Sequence, residues 1–120
     1  MEAEKIELSS AAEATEAIDK LGSDNSRLMA TRALHVNVLV KQVPGADARL
    51  LKSVYNDIGA EAAISRHAYR EEEGAVTDMI VMGTLYQHRE VRRVLKGNAV
   101  IKPLLDAIEA VVEGVKGTQR

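Results

Sequence analysis

Four cationic side chains in one helical segment are the strongest candidate for a binding site in this sequence. A helix places positions offset by three, four and seven residues on one face. This spacing is shared by Arg89, Arg92, Arg93 and Lys96. Arginine forks match the oxygens of carboxylates and phosphates. The stripe therefore predicts a ligand-binding face for a phosphate, a carboxylate or an RNA backbone. The alternative is a solvated helix face that is neutralised by the glutamates at 71–73 or by an acidic first helix.

A histidine and an aspartate would form an acid–base pair in one register of a predicted β-hairpin. The hairpin joins strands over residues 62–69 and 76–82 through a loop with three glutamates. In one register His67 faces Asp78, whose carboxylate would fix the imidazole tautomer and raise its basicity. His67 and Asp78 are therefore the candidate catalytic residues, with His88 as a second candidate base.

The neighbouring register of the same hairpin removes this pair and is the preferred one. It places Arg66 opposite Asp78 and Ile64 opposite Ile80, so that one face of the hairpin stays apolar. Arg66 then neutralises Asp78, which favours this register because burying an unpaired carboxylate costs free energy.

The sequence offers little support for metal, nucleophilic or dinucleotide chemistry. The histidines His35, His67 and His88 have no short metal-ligand spacing, and there are no cysteines. We therefore expect no metal and no cofactor. The turn at Gly45 precedes a helix and its amides would face an anion, but Asp47 just beyond would repel it.

Composition limits the class of protein. The chain has 120 residues, 46% hydrophobic and 28% charged, with a net charge of −2. These values predict one soluble domain without avid binding to DNA or a membrane. Phe and Trp are absent and there are three Tyr, which disfavours base stacking on aromatic side chains. An acidic N-terminus predicts no secretory signal, so we expect a cytoplasmic protein.

Capping residues and hydrophobic periodicity place the elements that carry these side chains. Ser10 with Glu13, and Thr84 with Gln87, are typical of capping boxes at helix starts, and Pro103 suits the first turn of a last helix. Helices are expected over residues 11–21, 47–58, 85–96 and 103–113, and strands over 5–8, 34–43, 62–69 and 76–82. Residues 27–33 fit either a helical turn or an extended segment, and residues 98–101 a short extended piece.

The resulting order, β-α-β-α-β-β-α-α, predicts an α+β fold. We expect a single-domain two-layer sandwich over residues 1–115, ferredoxin-like or related, with a frayed tail at 116–120. A mostly parallel three-layer fold is the second interpretation. His35 and Leu39 lie on a half-apolar outer side of the second strand, which predicts homodimerisation through the sheet.

These observations favour a non-enzymatic binding or accessory subunit that contacts an acidic protein, a phosphate ligand or RNA through the basic helix face. The alternative is a small cofactor-free enzyme that uses His67 or His88 with Asp78 for general acid–base chemistry. A third interpretation is a structural domain whose partner is its own copy.

Overall fold

The protein is one small mixed α/β domain built on a three-stranded antiparallel sheet. The computed structural model describes the backbone of residues 1–116 and the side chains of residues 1–114. In chain order the elements are α1 (Ala11–Asp19), α2 (Ser26–Ala33), β1 (His35–Pro44), α3 (Gly45–Asp57), β2 (Glu61–Ile64), α4 (Arg66–Tyr69), β3 (Val76–Thr84), α5 (Leu85–Val94) and α6 (Lys102–Lys116). Of the predicted frayed tail, only Lys116 lies within the described residues, and it ends α6.

The central strand of the sheet is β3, which pairs antiparallel with β1 on one side and with β2 on the other. Val81 on β3 is opposite Val38 of β1 and Ala62 of β2, and all three are buried. Helices α3, α5 and α6 pack on this face in one hydrophobic cluster. Their buried contributions include Leu51, Tyr55, Leu85, Val91, Leu105, Ile108 and Val112.

The other face of the sheet is exposed. Successive side chains of a strand point to opposite faces, so burial of Val38 and Val81 leaves their neighbours Leu39 and Ile80 on the outer side. Both side chains are exposed, and the two residues are directly opposite each other. The helical layer therefore covers one side of the sheet.

Most helix boundaries follow the predicted caps. The Ser10 hydroxyl accepts the Glu13 N–H at 3.1 Å, although the Glu13 carboxylate accepts from the Ser9 hydroxyl instead of closing the capping box. At α5 both halves of the capping box form between Thr84 and Gln87. The strand predicted over residues 34–43 is confirmed as β1, His35–Pro44.

The secondary structure differs from the prediction in three places and settles one open interpretation. Residues 5–8 form no strand, and residues 27–33, for which two interpretations were open, form most of α2. The strand predicted over residues 62–69 ends at Ile64, because the Ser65 hydroxyl accepts the Ala68 N–H at 3.2 Å and starts α4. Residues 98–101 form turns instead of an extended piece. The ferredoxin-like order is therefore not confirmed.

Both predicted hairpin registers are wrong. In the structure Ala63 is opposite Ile80 and Ile64 is opposite Met79, one residue beyond the preferred register. The cause is that β3 is apolar on both faces, so its own pattern does not select the core side. Pairing with β1 does select it, because burial of Val36 and Val38 turns the side of Met79 and Val81 inward. A mostly parallel sheet is likewise wrong, since both edge strands run antiparallel to β3.

Candidate functional site

Three of the four cations of the predicted stripe, Arg89, Arg92 and Arg93, lie on α5, but the helix ends at Val94 and Lys96 lies in the turn that follows it. Leu85, His88 and Val91 of this helix are buried against the sheet, at 0%, 5% and 0% exposure. Because the helix is held by that face, the guanidinium groups of Arg89, Arg92 and Arg93 emerge on its outer sides.

Two of these arginines are paired with carboxylates of α6. The Arg89 guanidinium donates two hydrogen bonds to Glu113, from Nε and Nη2, each at 3.0 Å. The hydrogen bonds to Glu113 raise the pKa of Arg89. Arg92 forms a salt bridge with Glu109, one turn earlier on α6. The glutamates at 71–73 or the first helix were the groups expected to neutralise the stripe. For Arg89 and Arg92 the neutralising carboxylates come from α6 instead.

The other two cations are more open to solvent. Arg93 pairs with Glu90 of its own helix at 2.9 Å, and 68% of the Arg93 side chain is exposed. Lys96 forms no salt bridge with any residue that the structure describes. The stripe therefore has a neutralised half near α6 and a half with an unpaired cation near the C-terminal end of α5.

A groove of about 290 Å³ lies between α5 and α6 and is lined by these cations. Its lining includes five cationic side chains and one carboxylate, and consists of Arg89, Arg92, Arg93, Leu95, Lys96, Asn98, Lys102, Leu105 and Asp106. Lys102 donates to Asp106 at 2.7 Å. The Asn98 side chain accepts the N–H groups of Val100 and Ile101, which holds the turn that leads into α6. Arginine and lysine side chains are the groups that recognise oxyanions in proteins, so an oxyanion is the class of ligand whose charge is opposite to that of these side chains.

Of the two candidate bases, His88 is part of the core. Its Nε2 lies 2.8 Å from the Val36 carbonyl and its Nδ1 lies 2.7 Å from the Tyr55 hydroxyl. A carbonyl only accepts, so Nε2 carries the proton and the Tyr55 hydroxyl donates to Nδ1. Burial lowers the pKa of His88 and raises that of Tyr55. Both ring nitrogens are engaged, so the imidazole has a structural role.

The structure places His67 and Asp78 at one shallow depression of about 560 Å³ on the outer side of the sheet, but no hydrogen bond joins them. His67 is exposed on α4, and its Nδ1 lies 3.0 Å from the Glu72 carboxylate. Asp78 accepts the backbone N–H of Gln42 at 3.1 Å. His67 and Asp78 therefore have different partners, and the Asp78 carboxylate does not orient the His67 imidazole.

The remaining sequence candidates are dispersed. The third histidine, His35, contacts Asn37 at 2.9 Å. Within the described residues, no group of three or more His, Asp or Glu side chains is arranged to hold a metal ion. The Gly45 N–H donates to the Ala75 carbonyl at 2.9 Å, so this amide is already used within the fold.

Sequence reasoning did not predict a wider cleft of about 790 Å³ between α1, α2 and α5. Small side chains line it on α1, among them Ala11 and Thr15, and its charged lining is mixed, with Glu16 and Arg27 as examples. It depends on how α1 and α2 pack beside α5, which no local pattern reveals. Its mixed charge makes it a weaker anion site than the α5–α6 groove.

Comparison with protein-family models, with curated proteins and with solved structures finds no match to this chain. No helix in the described part of the chain is long and apolar enough to cross a membrane.

Proposed function

We propose that this protein is a non-enzymatic binding or accessory domain that recognises an oxyanion in the α5–α6 groove. The observation that carries the proposal is the groove lining, in which five cationic side chains accompany one carboxylate. Three further carboxylates outside the lining, those of Glu90, Glu109 and Glu113, pair with three of these cations. The recognised group is a phosphate or a carboxylate, presented by a small ligand, by RNA or by an acidic protein surface.

The ion pairs around the groove do not block such a ligand. Exposed salt bridges contribute roughly 0–1 kcal/mol each, so an incoming anion can compete with the carboxylate of Glu90 or Asp106. Among the described residues no carboxylate pairs with Lys96, so Lys96 is available to the ligand first. Arg93 then adds a planar fork that binds two oxygens at once, and Arg92 does the same when the ligand displaces Glu109.

What supports a binding role over an enzymatic one is where the candidate bases lie. His88 is buried with both nitrogens engaged, and His67 contacts Glu72 instead of Asp78. Neither histidine lines the groove. The acid–base alternative would need His67 and Asp78 to act without the hydrogen bond that orients such a pair.

An amide NMR titration at low salt tests the proposal. The probes are inorganic phosphate, a set of nucleotides, a short RNA and a poly-glutamate peptide, which together separate the three sources of the anion. We expect shifts at Arg93, Lys96 and Lys102 that weaken as salt is added.

A pair of double variants provides the control. In Arg93→Gln with Lys96→Gln, two charge-assisted contacts of roughly 1.5–3 kcal/mol each are lost, so affinity should fall at least about a hundredfold. Arg66→Gln with Arg70→Gln removes the same charge from exposed positions on and just after α4 and should change affinity little. Equal loss in both variants, or no loss in the first, would refute a specific site in the groove.

A further inference from the structure

The shallow depression on the outer side of the sheet combines an apolar floor with one isolated carboxylate. We define the sheet depression by six of its lining residues, Leu39, Ile64, His67, Val76, Asp78 and Ile80. Leu39 is 57% exposed, Val76 is 53% exposed and Ile80 is 41% exposed, although a solvated antiparallel sheet normally presents polar side chains on its open side. Exposed apolar side chains gathered in this way mark a contact site.

Asp78 lies in the middle of this apolar surface and has one oxygen without a hydrogen-bond donor. It stands between Val76 and Ile80 on the outer side of β3. Its Oδ1 accepts the Gln42 N–H at 3.1 Å, and within the described part of the chain no group donates to Oδ2. Lys41 lies in the bulge opposite Asp78, but no salt bridge joins the two side chains. The carboxylate is therefore a charge without a counter-ion among the described residues.

The other polar side chains of the sheet depression are used within the fold. The Thr77 hydroxyl accepts the Ser65 N–H at 2.9 Å, and the Ser65 hydroxyl accepts the Ala68 N–H at 3.2 Å. The His67 imidazole lies 3.0 Å from the Glu72 carboxylate. Oδ2 of Asp78 is therefore the charged acceptor that the depression offers to a ligand.

This lining favours a ligand that carries a cationic donor on an apolar body. A carboxylate only accepts hydrogen bonds, so the ligand must donate to Asp78. A wholly apolar ligand would desolvate the charge without compensation, and an anion would be repelled. Because Oδ1 already has a donor, a primary ammonium group, which acts as a point charge, fits the remaining oxygen better than a guanidinium fork that binds both.

We propose that the sheet depression binds a small organic molecule with one primary ammonium group on a hydrocarbon body. The ammonium group donates to Oδ2 of Asp78, and the hydrocarbon lies on Leu39, Val76 and Ile80. The volume of about 560 Å³ is within the range of about 300–1,000 Å³ that is typical of sites for such molecules. The α5–α6 groove lies on the opposite side of the sheet and takes a ligand of the opposite charge, so either proposal can fail without the other.

An amide NMR titration of the full chain tests the proposal with probes that share one apolar body and differ in charge. The probes are hexylammonium, 1-hexanol and hexanoate. We expect hexylammonium to shift the amides of Leu39, Asp78 and Ile80, with a dissociation constant on the order of 1 mM. Hexanol and hexanoate should bind at least about tenfold more weakly, because neither provides a cation for Asp78.

Three variants separate the charge from the apolar floor. Asp78→Asn removes the charge but keeps an oxygen that can accept the Gln42 N–H, and it should weaken hexylammonium binding at least about tenfold. The matched control Asp24→Asn removes the same charge from an exposed position between α1 and α2 and should leave binding unchanged. Ile80→Thr keeps a β-branched side chain and removes apolar surface, so affinity should fall roughly threefold.

Four results would overturn the proposal. One is the absence of shifts in the sheet depression up to about 20 mM hexylammonium, well above the expected constant. The second is hexanol binding as tightly as hexylammonium, and the third is an equal effect of Asp78→Asn and Asp24→Asn. The fourth is a blocked lysine tripeptide, acetyl-Leu-Lys-Leu-amide, that binds more than about tenfold tighter than hexylammonium, which would assign the depression to a protein segment instead of a small molecule.

Discussion

The buried hydrogen bond between Tyr55 and His88 allows a quantitative test of the structure. The Tyr55 hydroxyl donates to His88 Nδ1 at 2.7 Å, and the two rings meet edge to face with centroids 5.5 Å apart. Tyr55→Phe keeps the ring and removes the hydroxyl, which leaves Nδ1 buried without a donor. An unsatisfied buried acceptor costs about 1–3 kcal/mol.

We therefore expect Tyr55→Phe to lower the free energy of unfolding by about 2 kcal/mol. In a domain of this size the midpoint of thermal unfolding should then fall by roughly 8 °C, at about 4 °C per kcal/mol. Tyr69→Phe is the matched control, because Tyr69 is 65% exposed and its hydroxyl should contribute less than about 0.5 kcal/mol.

The same network makes a prediction about pH. Burial lowers the pKa of His88 below its ordinary value of 6.5, so the unfolded chain takes up this proton at a higher pH than the folded protein does. The contribution of neutral His88 to the free energy of unfolding is therefore fully present above pH 6.5. On acidification the free energy of unfolding falls by up to about 1.4 kcal/mol per pH unit, until the pH reaches the pKa of His88 in the folded protein. His88→Gln removes this titration, so urea unfolding between about pH 5 and 8 should depend less on pH than in the parent.

Two results would refute this reasoning. One is a Tyr55→Phe protein whose stability equals that of Tyr69→Phe, which would mean that the hydroxyl does not satisfy His88. The other is an unchanged pH dependence in His88→Gln, which would mean that His88 is not the buried neutral base described above.

Two further substitutions test local backbone geometry. Gln42 has a φ of +60°, a left-handed conformation that costs a residue with a side chain about 1–2 kcal/mol. Glycine avoids this cost but loses more conformational entropy on folding. We therefore expect Gln42→Gly to raise the free energy of unfolding in urea by roughly 0.5 kcal/mol. Gln42→Ala keeps the strain and should give no such gain. Gly45→Ala would bring a methyl group to 3.0 Å from the Ala75 carbonyl oxygen, so we expect a loss of about 1 kcal/mol in the same assay, and a gain would contradict the close approach.

Local signals in the sequence predict the parts of the fold that local interactions determine. The helix starts after Ser10 and Thr84 follow from side chains that bond amides three residues away. Alternation of valines predicts β1, and one-sided apolar spacing predicts the stripe on α5. Residues 5–8 alternate equally well but have no strand beside them, so the pattern alone does not make a strand.

The predictions that failed concern features that depend on residues far apart in the sequence. The hairpin register could not be read from β3, because Ile80 and Met79 are equally apolar and only β1 decides between them. The carboxylates that pair with the stripe were missed for a similar reason, since Glu109 and Glu113 lie a helix away from Arg92 and Arg89. No spacing rule connects residues across such a distance, so the charge of the groove emerges only from the packing of α6.

The position of β3 at the centre of the sheet sets the order in which the chain can acquire its structure. His35 pairs with Thr84, which is 49 positions later along the chain (84 minus 35). Both edge strands precede in the chain the strand that joins them, so neither has its backbone partner until β3 (Val76–Thr84) has been synthesised. Closing the shorter loop between β2 and β3 costs less entropy, so that pairing should come first and β1 should dock last. A chain interrupted before β3 lacks the strand with which both β1 and β2 pair in the folded protein.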